Sequence, residues 1–308
     1  MRFSLVAPLA LAVAPSLVSA AGTLGFALGT KNADGSCKDQ SDYEADFDAI
    51  SAASGSTLVR GYSASDCNSS VAIMPAAKTK GFKVVLGIWP DVQESFDADM
   101  DAITAVAPKY ASSIYAVTVG SETLYRGNFT GEQLADKINT VKTALKGVTS
   151  TPIKVGTADS WNKFADGTGD AVIGTADLIM VNAFAFWQGQ ALSNATNTYF
   201  DDVMQAFGHI QSIAGGVDKA PELWNGETGW PTDGGSDFGA AEAGTSNAAS
   251  YYKSAICGML AWDVNLFYFE AFDEPWKPDS IGDNGQPADE KHWGAMTSTR
   301  GTKFSLKC

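Results

Sequence analysis

Two glutamates far apart in this chain stand in nearly the same local setting. Val117-Thr-Val-Gly-Ser-Glu122 carries an apolar run up to a glycine and then a carboxylate. Pro221-Glu-Leu-Trp-Asn-Gly-Glu227-Thr-Gly-Trp230-Pro231 repeats the arrangement. The flanking glycines let backbone and ligand approach closely. Two carboxyl groups facing each other across a cleft can split a glycosidic bond. One protonates the leaving oxygen and the other meets the developing oxocarbenium ion. At a separation of about 5–5.5 Å the second attacks the sugar carbon itself, and configuration is retained. That geometry is the expectation here, with Glu227 as nucleophile and Glu122 as acid/base. For the roles to differ, the surroundings must push the two pKa values apart, Glu122 upward.

Such a pair needs a scaffold that brings distant segments to one rim. Eight apolar, β-type runs recur along the chain: Leu24–Leu28, Thr57–Gly61, Phe82–Ile88, Ile114–Val119, Ile153–Thr157, Asp177–Asn182, Pro221–Asn225 and Leu266–Ala271. Continuous apolar runs suit parallel strands buried on both faces. Amphipathic helical patterns lie between them. Tyr43, Phe47 and Ile50 mark one face, and Phe96, Met100, Ile103 and Val106 another. Leu134, Ile138, Val141 and Leu145 line a third, opened by the capping pattern Thr130-x-x-Gln133. Tyr199, Val203, Phe207 and Ile210 give a further face, and a helical segment around Ala248–Leu260 precedes the last strand. The alternation predicts a single (β/α)8 TIM barrel over residues 21–308. An open doubly wound sheet is the other arrangement of this pattern, but no Gly-x-Gly-x-x-Gly follows the first strand.

In a barrel the C-terminal strand ends carry the site. Those ends bring Arg60 and Tyr62, Trp89, Ser121 and Glu122, Asp159 and Trp161, Asn182, Phe184 and Trp187, Glu227 and Trp230, and Asp273, Glu274, Trp276 and Lys277. Aromatic faces with polar groups between them suit a carbohydrate. Trp230, Trp187 and Phe184 are expected as platforms for sugar rings, whereas Trp89 and Trp161 are expected to pack in the core or loops. Tyr62 is placed to hydrogen-bond the nucleophile, and Arg60 is read as a structural partner of a buried carboxylate. Glu270 and Asp273 alternate along the last strand, and either can face the cleft. His209 and His292 read as surface or packing residues.

The 308-residue chain is 45% hydrophobic and 11% aromatic, ample for one large core. Its net charge of −14 argues against nucleic acid and anionic membranes as partners but tolerates a neutral substrate. Arg2, the apolar stretch Phe3–Val13 and Val18-Ser-Ala20 form a secretory leader, residues 1–20. A released extracellular or cell-wall protein, monomeric, is the expectation. Cys37, Cys67, Cys257 and Cys308 allow three pairings. Cys37–Cys67 with Cys257–Cys308 is preferred, since it staples neighbouring loops and ties down the C-terminus. No Cys/His cluster calls for a metal, and no cofactor is expected. Asn68, Asn128 and Asn194 head sequons that export would expose to glycosylation.

Val-Gly-Ser-Glu122, Asn225-Gly-Glu-Thr-Gly-Trp-Pro231 and Phe272-Asp-Glu-Pro-Trp-Lys277 resemble glycoside hydrolase family 17. The likeness lies nearest its fungal cell-wall branch of glucan 1,3-β-glucosidases and β-1,3-glucanosyltransferases. Arg60-Gly-Tyr-Ser-Ala-Ser-Asp-Cys67 resembles that branch as well. The resemblance implies a (β/α)8 fold, a retaining mechanism and β-1,3-glucan, as oligosaccharide or polysaccharide, as substrate. It places the acid/base on Glu122, the nucleophile on Glu227, and an orienting carboxylate–ammonium pair on Glu274 and Lys277. Plant members carry Asn before the acid/base, where it grips the sugar 2-hydroxyl. Ser121 stands there in this chain, and Asn182 is the residue that can supply the grip instead.

Three activities fit this pattern. The same catalytic pair serves hydrolysis or glucanosyl transfer, the difference lying in what intercepts the glycosyl-enzyme. A non-catalytic glucan-binding wall protein on a barrel scaffold is the alternative from another class. The presence of both carboxylates argues against it.

Overall fold

A parallel strand buried on both faces needs apolar side chains pointing both ways, and the eight runs supply them. The computed structural model describes residues 21–233, 237–282, 285 and 287–308, so the leader segment 1–20 lies outside the described residues. The strands are β1 (Leu24–Ala27), β2 (Leu58–Arg60), β3 (Lys83–Ile88), β4 (Ile114–Ser121), β5 (Lys154–Ser160), β6 (Leu178–Asn182), β7 (Glu222–Thr228) and β8 (Leu266–Tyr268). They pair in parallel in sequence order and close where β1 meets β8. This is the (β/α)8 barrel that the alternation predicts, not an open sheet. Along β3, Val84 and Leu86 join the large cluster shared with the surrounding helices, whereas Val85 joins a smaller one. That smaller cluster, with Leu58, Met180, Trp224 and Phe267, fills the barrel interior.

The helices are α1 (Gln40–Ser54), α2 (Ser69–Lys80), α3 (Gln93–Tyr110), α4 (Gly131–Val148), the short α5 (Trp161–Ala165) and α6 (Asp170–Ile173), then α7 (Leu192–Ala214), α8 (Thr245–Tyr251) and α9 (Cys257–Ala261). A π-helical turn, Tyr252–Ile256, joins α8 to α9. The expected capping box opens α4: Thr130 accepts from Gln133 N, and Gln133 accepts from Thr130 N. Leu134, Ile138, Val141 and Leu145 are the buried face of that helix. Tyr199, Val203, Phe207 and Ile210 are buried on α7 in the same way.

Three strands run past their apolar stretches, β5 among them, through Asp159 and Ser160. β4 extends through Gly120 and Ser121, and β7 through Glu227 and Thr228. Ladder pairing with neighbours carries them on: Asn182 registers with Glu227, and Thr228 with Tyr268, each after a register shift. Glu227 therefore sits within a strand rather than beyond it. The preferred disulfides, Cys37–Cys67 and Cys257–Cys308, are both formed. Among the described residues no helix is long and apolar enough to cross a membrane.

Candidate active site

Glu122 leaves β4 through a backbone that few residues adopt. Gly120 has φ of 85° and Glu122 itself 58°, both in the left-handed region. At Gly120 a Cβ would come within 2.9 Å of the Thr123 side chain. Glu122 N donates to Ala158 O at 3.0 Å, and Asn182 Nδ2 donates to the Glu122 carboxylate at 3.1 Å. Burial first, and the charge of Glu227 next, raise the Glu122 pKa to about 7. Asp159 works in the same direction, opposed by the Asn182 hydrogen bond and by Arg126.

Glu227 is met by the opposite kind of neighbour. The wholly buried Arg60 guanidinium pairs with it at 3.0 Å, and Ser121 Oγ donates a longer 3.4 Å contact. Arg60 also donates to Gly226 O at 2.8 Å and to Ser121 Oγ at 3.1 Å, while its plane lies 4.9 Å from the Tyr62 ring. The preceding Asn225 braces the strand end. Its Nδ2 donates to Val181 O and Glu227 O, and its Oδ1 accepts from Tyr199 Oη. Between them Gly226 is required sterically, because a Cβ there would stand 2.6 Å from Asn182 Oδ1. Asn182 thus registers with Glu227 through the ladder and bonds Glu122 through its side chain.

Beyond β8 a third group of charges gathers on Lys277. Its ammonium meets both oxygens of Glu270 (2.9 and 3.0 Å), Glu274 at 3.2 Å and Glu290 at 3.8 Å. Burial, with the charge of Glu274 next, holds the Glu270 carboxyl well above the usual range. Burial opposes charge on Lys277, but Glu270 and Glu274 outweigh it and raise its pKa. Glycine at position 29 makes room for this group, since a Cβ there would lie 1.7 Å from Glu274 Oε1.

Two cavities lie at these strand ends; Glu122 lines the larger, and Glu227 lines neither. The larger, about 410 Å³, is lined by Glu122, Asn182, Phe184 and Trp187 together with Tyr125, Trp161, Asn162 and Phe238. The smaller, about 310 Å³, is lined by Tyr62, Glu270, Glu274, Trp276 and Lys277. Glu290 lines both. Among the described residues, four buried polar atoms in these walls make no full hydrogen bond: Tyr62 Oη and Trp276 Nε1 in the smaller, Asn182 Oδ1 and Asn162 Oδ1 in the larger. Unspent donors and acceptors of this kind match the hydroxyls of a sugar chain.

Some sequence expectations need correcting. Trp230 is fully buried, donates to Glu242 O at 2.8 Å and packs edge-on against Phe186, so it is not a platform. Trp161 packs against the core as expected and also lines the larger cavity. Tyr62 Oη neighbours Glu227, which after burial raises the phenol pKa by its charge and by side-chain hydrogen bonding, although the contact falls short of a full hydrogen bond. Arg60 and Ser121 make the full contacts to that carboxylate. Glu270, not Asp273, faces the cleft; Asp273 pairs with Lys303. Glu290 was given no sign by its sequence surroundings. His209 pairs with Asp170 and His292 lies 4.0 Å from Asp273, both outside the two cavities. Among the described residues no cluster of three or more His, Cys, Asp or Glu is placed to hold a metal ion.

Comparison with known proteins gives the family. The BtgE/BtgC glycoside hydrolase domain family matches residues 25–294. A glucan 1,3-beta-glucosidase of Arthroderma benhamiae is 57% identical over all of this chain and 98% of its own length. The glucan 1,3-beta-glucosidase of Saccharomyces cerevisiae is 44% identical over all of this chain and 99% of its own. Among solved structures, the family 17 beta-1,3-glucanosyltransferase of Rhizomucor miehei superposes with a TM-score of 0.78 at 29% identity, covering 93% of this chain and 98% of that one. With fold, paired carboxylates and relatives in agreement, the chain belongs to the BtgE/BtgC glycoside hydrolases, in the fungal glucan 1,3-β-glucosidase and glucanosyltransferase branch of glycoside hydrolase family 17.

Proposed function

We propose that this chain is a secreted, retaining enzyme that cleaves β-1,3-glucan and passes the glycosyl group to water or to a sugar hydroxyl. Glu227 attacks the anomeric carbon while protonated Glu122 gives its proton to the departing glycosidic oxygen. Glu122, now a carboxylate, takes a proton from the incoming hydroxyl, which displaces Glu227 and restores the enzyme. The observation that carries the reading is the contrast between the two environments. Glu122 keeps a proton up to about pH 7, whereas Glu227 has a guanidinium at 3.0 Å.

The substrate rests on the relatives: glucan 1,3-beta-glucosidases in sequence, and an R. miehei active-site mutant solved with laminaritriose, 29% identical with a TM-score of 0.77 over 93% of this chain and 98% of that one. Transfer is supported by the larger cavity on the Glu122 side. Its aromatic lining of Tyr125, Trp161, Phe184, Trp187 and Phe238 favours a sugar acceptor over bulk water. Export rests on the apolar leader of the sequence and two disulfides, and the extracellular or wall location on the fungal relatives. The test is a product profile from a defined β-1,3-gluco-oligosaccharide at low and high concentration. Products longer than the substrate at high concentration show transfer, and only shorter ones show hydrolysis. No turnover, or turnover that survives Glu227→Gln, would overturn the assignment.

A further inference from the structure

Asp159 lies at the end of β5, fully buried, and lines neither cavity. Its carboxylate nevertheless spends its acceptors on the segment that follows Glu122. Oδ2 accepts from Leu124 N at 2.8 Å, and Oδ1 accepts from Tyr125 N at 3.1 Å and Ser160 N at 2.8 Å. Beside it, Ala158 O takes the N–H of Glu122 itself. One strand end thus grips the backbone on both sides of a residue whose φ is 58°.

A glutamate in the left-handed region is unfavourable and persists only where its surroundings over-determine it. The turn's own bonds, Arg126 N to Glu122 O and Asn128 N to Thr123 O, close the segment on itself but do not tie it to the barrel. The Asp159 carboxylate does. A neutral hydrogen-bond acceptor would hold the same N–H groups less strongly than an ionised one. Burial, the largest cause, outweighs the three N–H donors that favour the ionised form, and the Asp159 pKa is raised to about 6.

From this geometry we infer that Asp159 is a positioning residue for the acid/base, holding the Glu122 carboxyl where it meets the glycosidic oxygen. The inference rests on the reading of Glu122 as acid/base, and its test separates the two. A positioning fault in the acid matters only when the leaving group needs a proton. Two substrates are compared, a β-1,3-gluco-oligosaccharide and the same donor carrying a 2,4-dinitrophenolate leaving group. The quantity read is kcat/KM, which reports the step that breaks the glycosidic bond.

For Asp159→Asn, kcat/KM on the oligosaccharide is expected to fall about 100-fold, the scale of an ångström-sized misplacement. On the dinitrophenyl substrate it should fall less than about threefold, since little protonation is needed. Thermal unfolding of each variant is followed in parallel. Because Asp159 is buried, Asp159→Ser is made as well; its smaller side chain leaves room for water at the three donors. Glu122→Gln serves as reference and should show the same leaving-group dependence, more strongly. If Glu122→Gln shows it and both Asp159 variants lose equally on the two substrates, the inference is overturned and Asp159 serves stability alone. If Glu122→Gln shows none, the acid/base assignment falls and the inference with it.

Discussion

Arg60 and Glu227 form an ion pair of 3.0 Å across the barrel interior, with the guanidinium wholly shielded from solvent. A buried pair of this kind adds little net stability, because desolvating both charges offsets most of their attraction. Its importance shows when one partner goes. Arg60→Ala leaves the buried Glu227 charge uncompensated and frees Gly226 O and Ser121 Oγ as well. The expected loss is about 3–5 kcal/mol in denaturant unfolding at neutral pH. A loss under about 1 kcal/mol, in the range of an exposed pair, would refute this description of the pair.

In the proposed mechanism Glu122 must be protonated to release the leaving group, and its pKa is raised to about 7, by burial first and by Glu227 next. As pH rises through that value the acid form disappears, so kcat/KM should fall on the alkaline side near neutrality. The groups acting on Glu122 are the carboxylates of Glu227 and Asp159, the Arg126 guanidinium and the Asn182 amide. Asn182 favours the ionised form by donating to it, so Asn182→Ala should move the alkaline limb to higher pH. A limb that stays put, or moves down, would show that this hydrogen bond does not set the proton affinity.

Trp161 opens α5 and faces the larger cavity, whose wall also carries Trp187 and Phe238. Trp187 stacks on Trp293 at 5.1 Å and meets Phe238 edge-on, so it is anchored from behind. Trp161→Ala removes one face available to an acceptor sugar. The ratio of transfer to hydrolysis should then drop about three- to tenfold, the scale of one aromatic contact. Hydrolysis at low substrate concentration should change less. An unchanged ratio, measured from products longer than the substrate, would move the acceptor elsewhere.

The barrel was legible because burial on both faces leaves a plain mark, a continuous apolar run, eight times over. Glu122 and Glu227 were legible because glycine and a carboxylate at a strand end are local features. Arg60 could be recognised as a partner for some carboxylate, but its contact with Glu227 joins β2 to β7 and is set by barrel closure. Glu270 and Asp273 could not be told apart, since the chain beyond Tyr268 leaves the regular ladder. Glu290 lies in a stretch without periodicity, and only the folded chain brings it to Lys277.

Trp230 shows the same limit from the other side. A tryptophan just past a catalytic strand end reads equally as a sugar platform or as core, because both uses need a flat apolar ring. The direction of the ring decides, and here it points among Phe186 and Tyr251, with Nε1 bonded to Glu242 O. Trp230→Phe keeps most of the buried ring and deletes that hydrogen bond. It should cost about 0.5–1.5 kcal/mol in unfolding free energy, the scale of one hydrogen bond, since Glu242 O keeps Asn247 Nδ2 as a donor. The KM for β-1,3-gluco-oligosaccharides should remain that of the parent, because the ring lines neither of the two cavities described above. A KM that rises with stability unchanged would instead place Trp230 in the cleft.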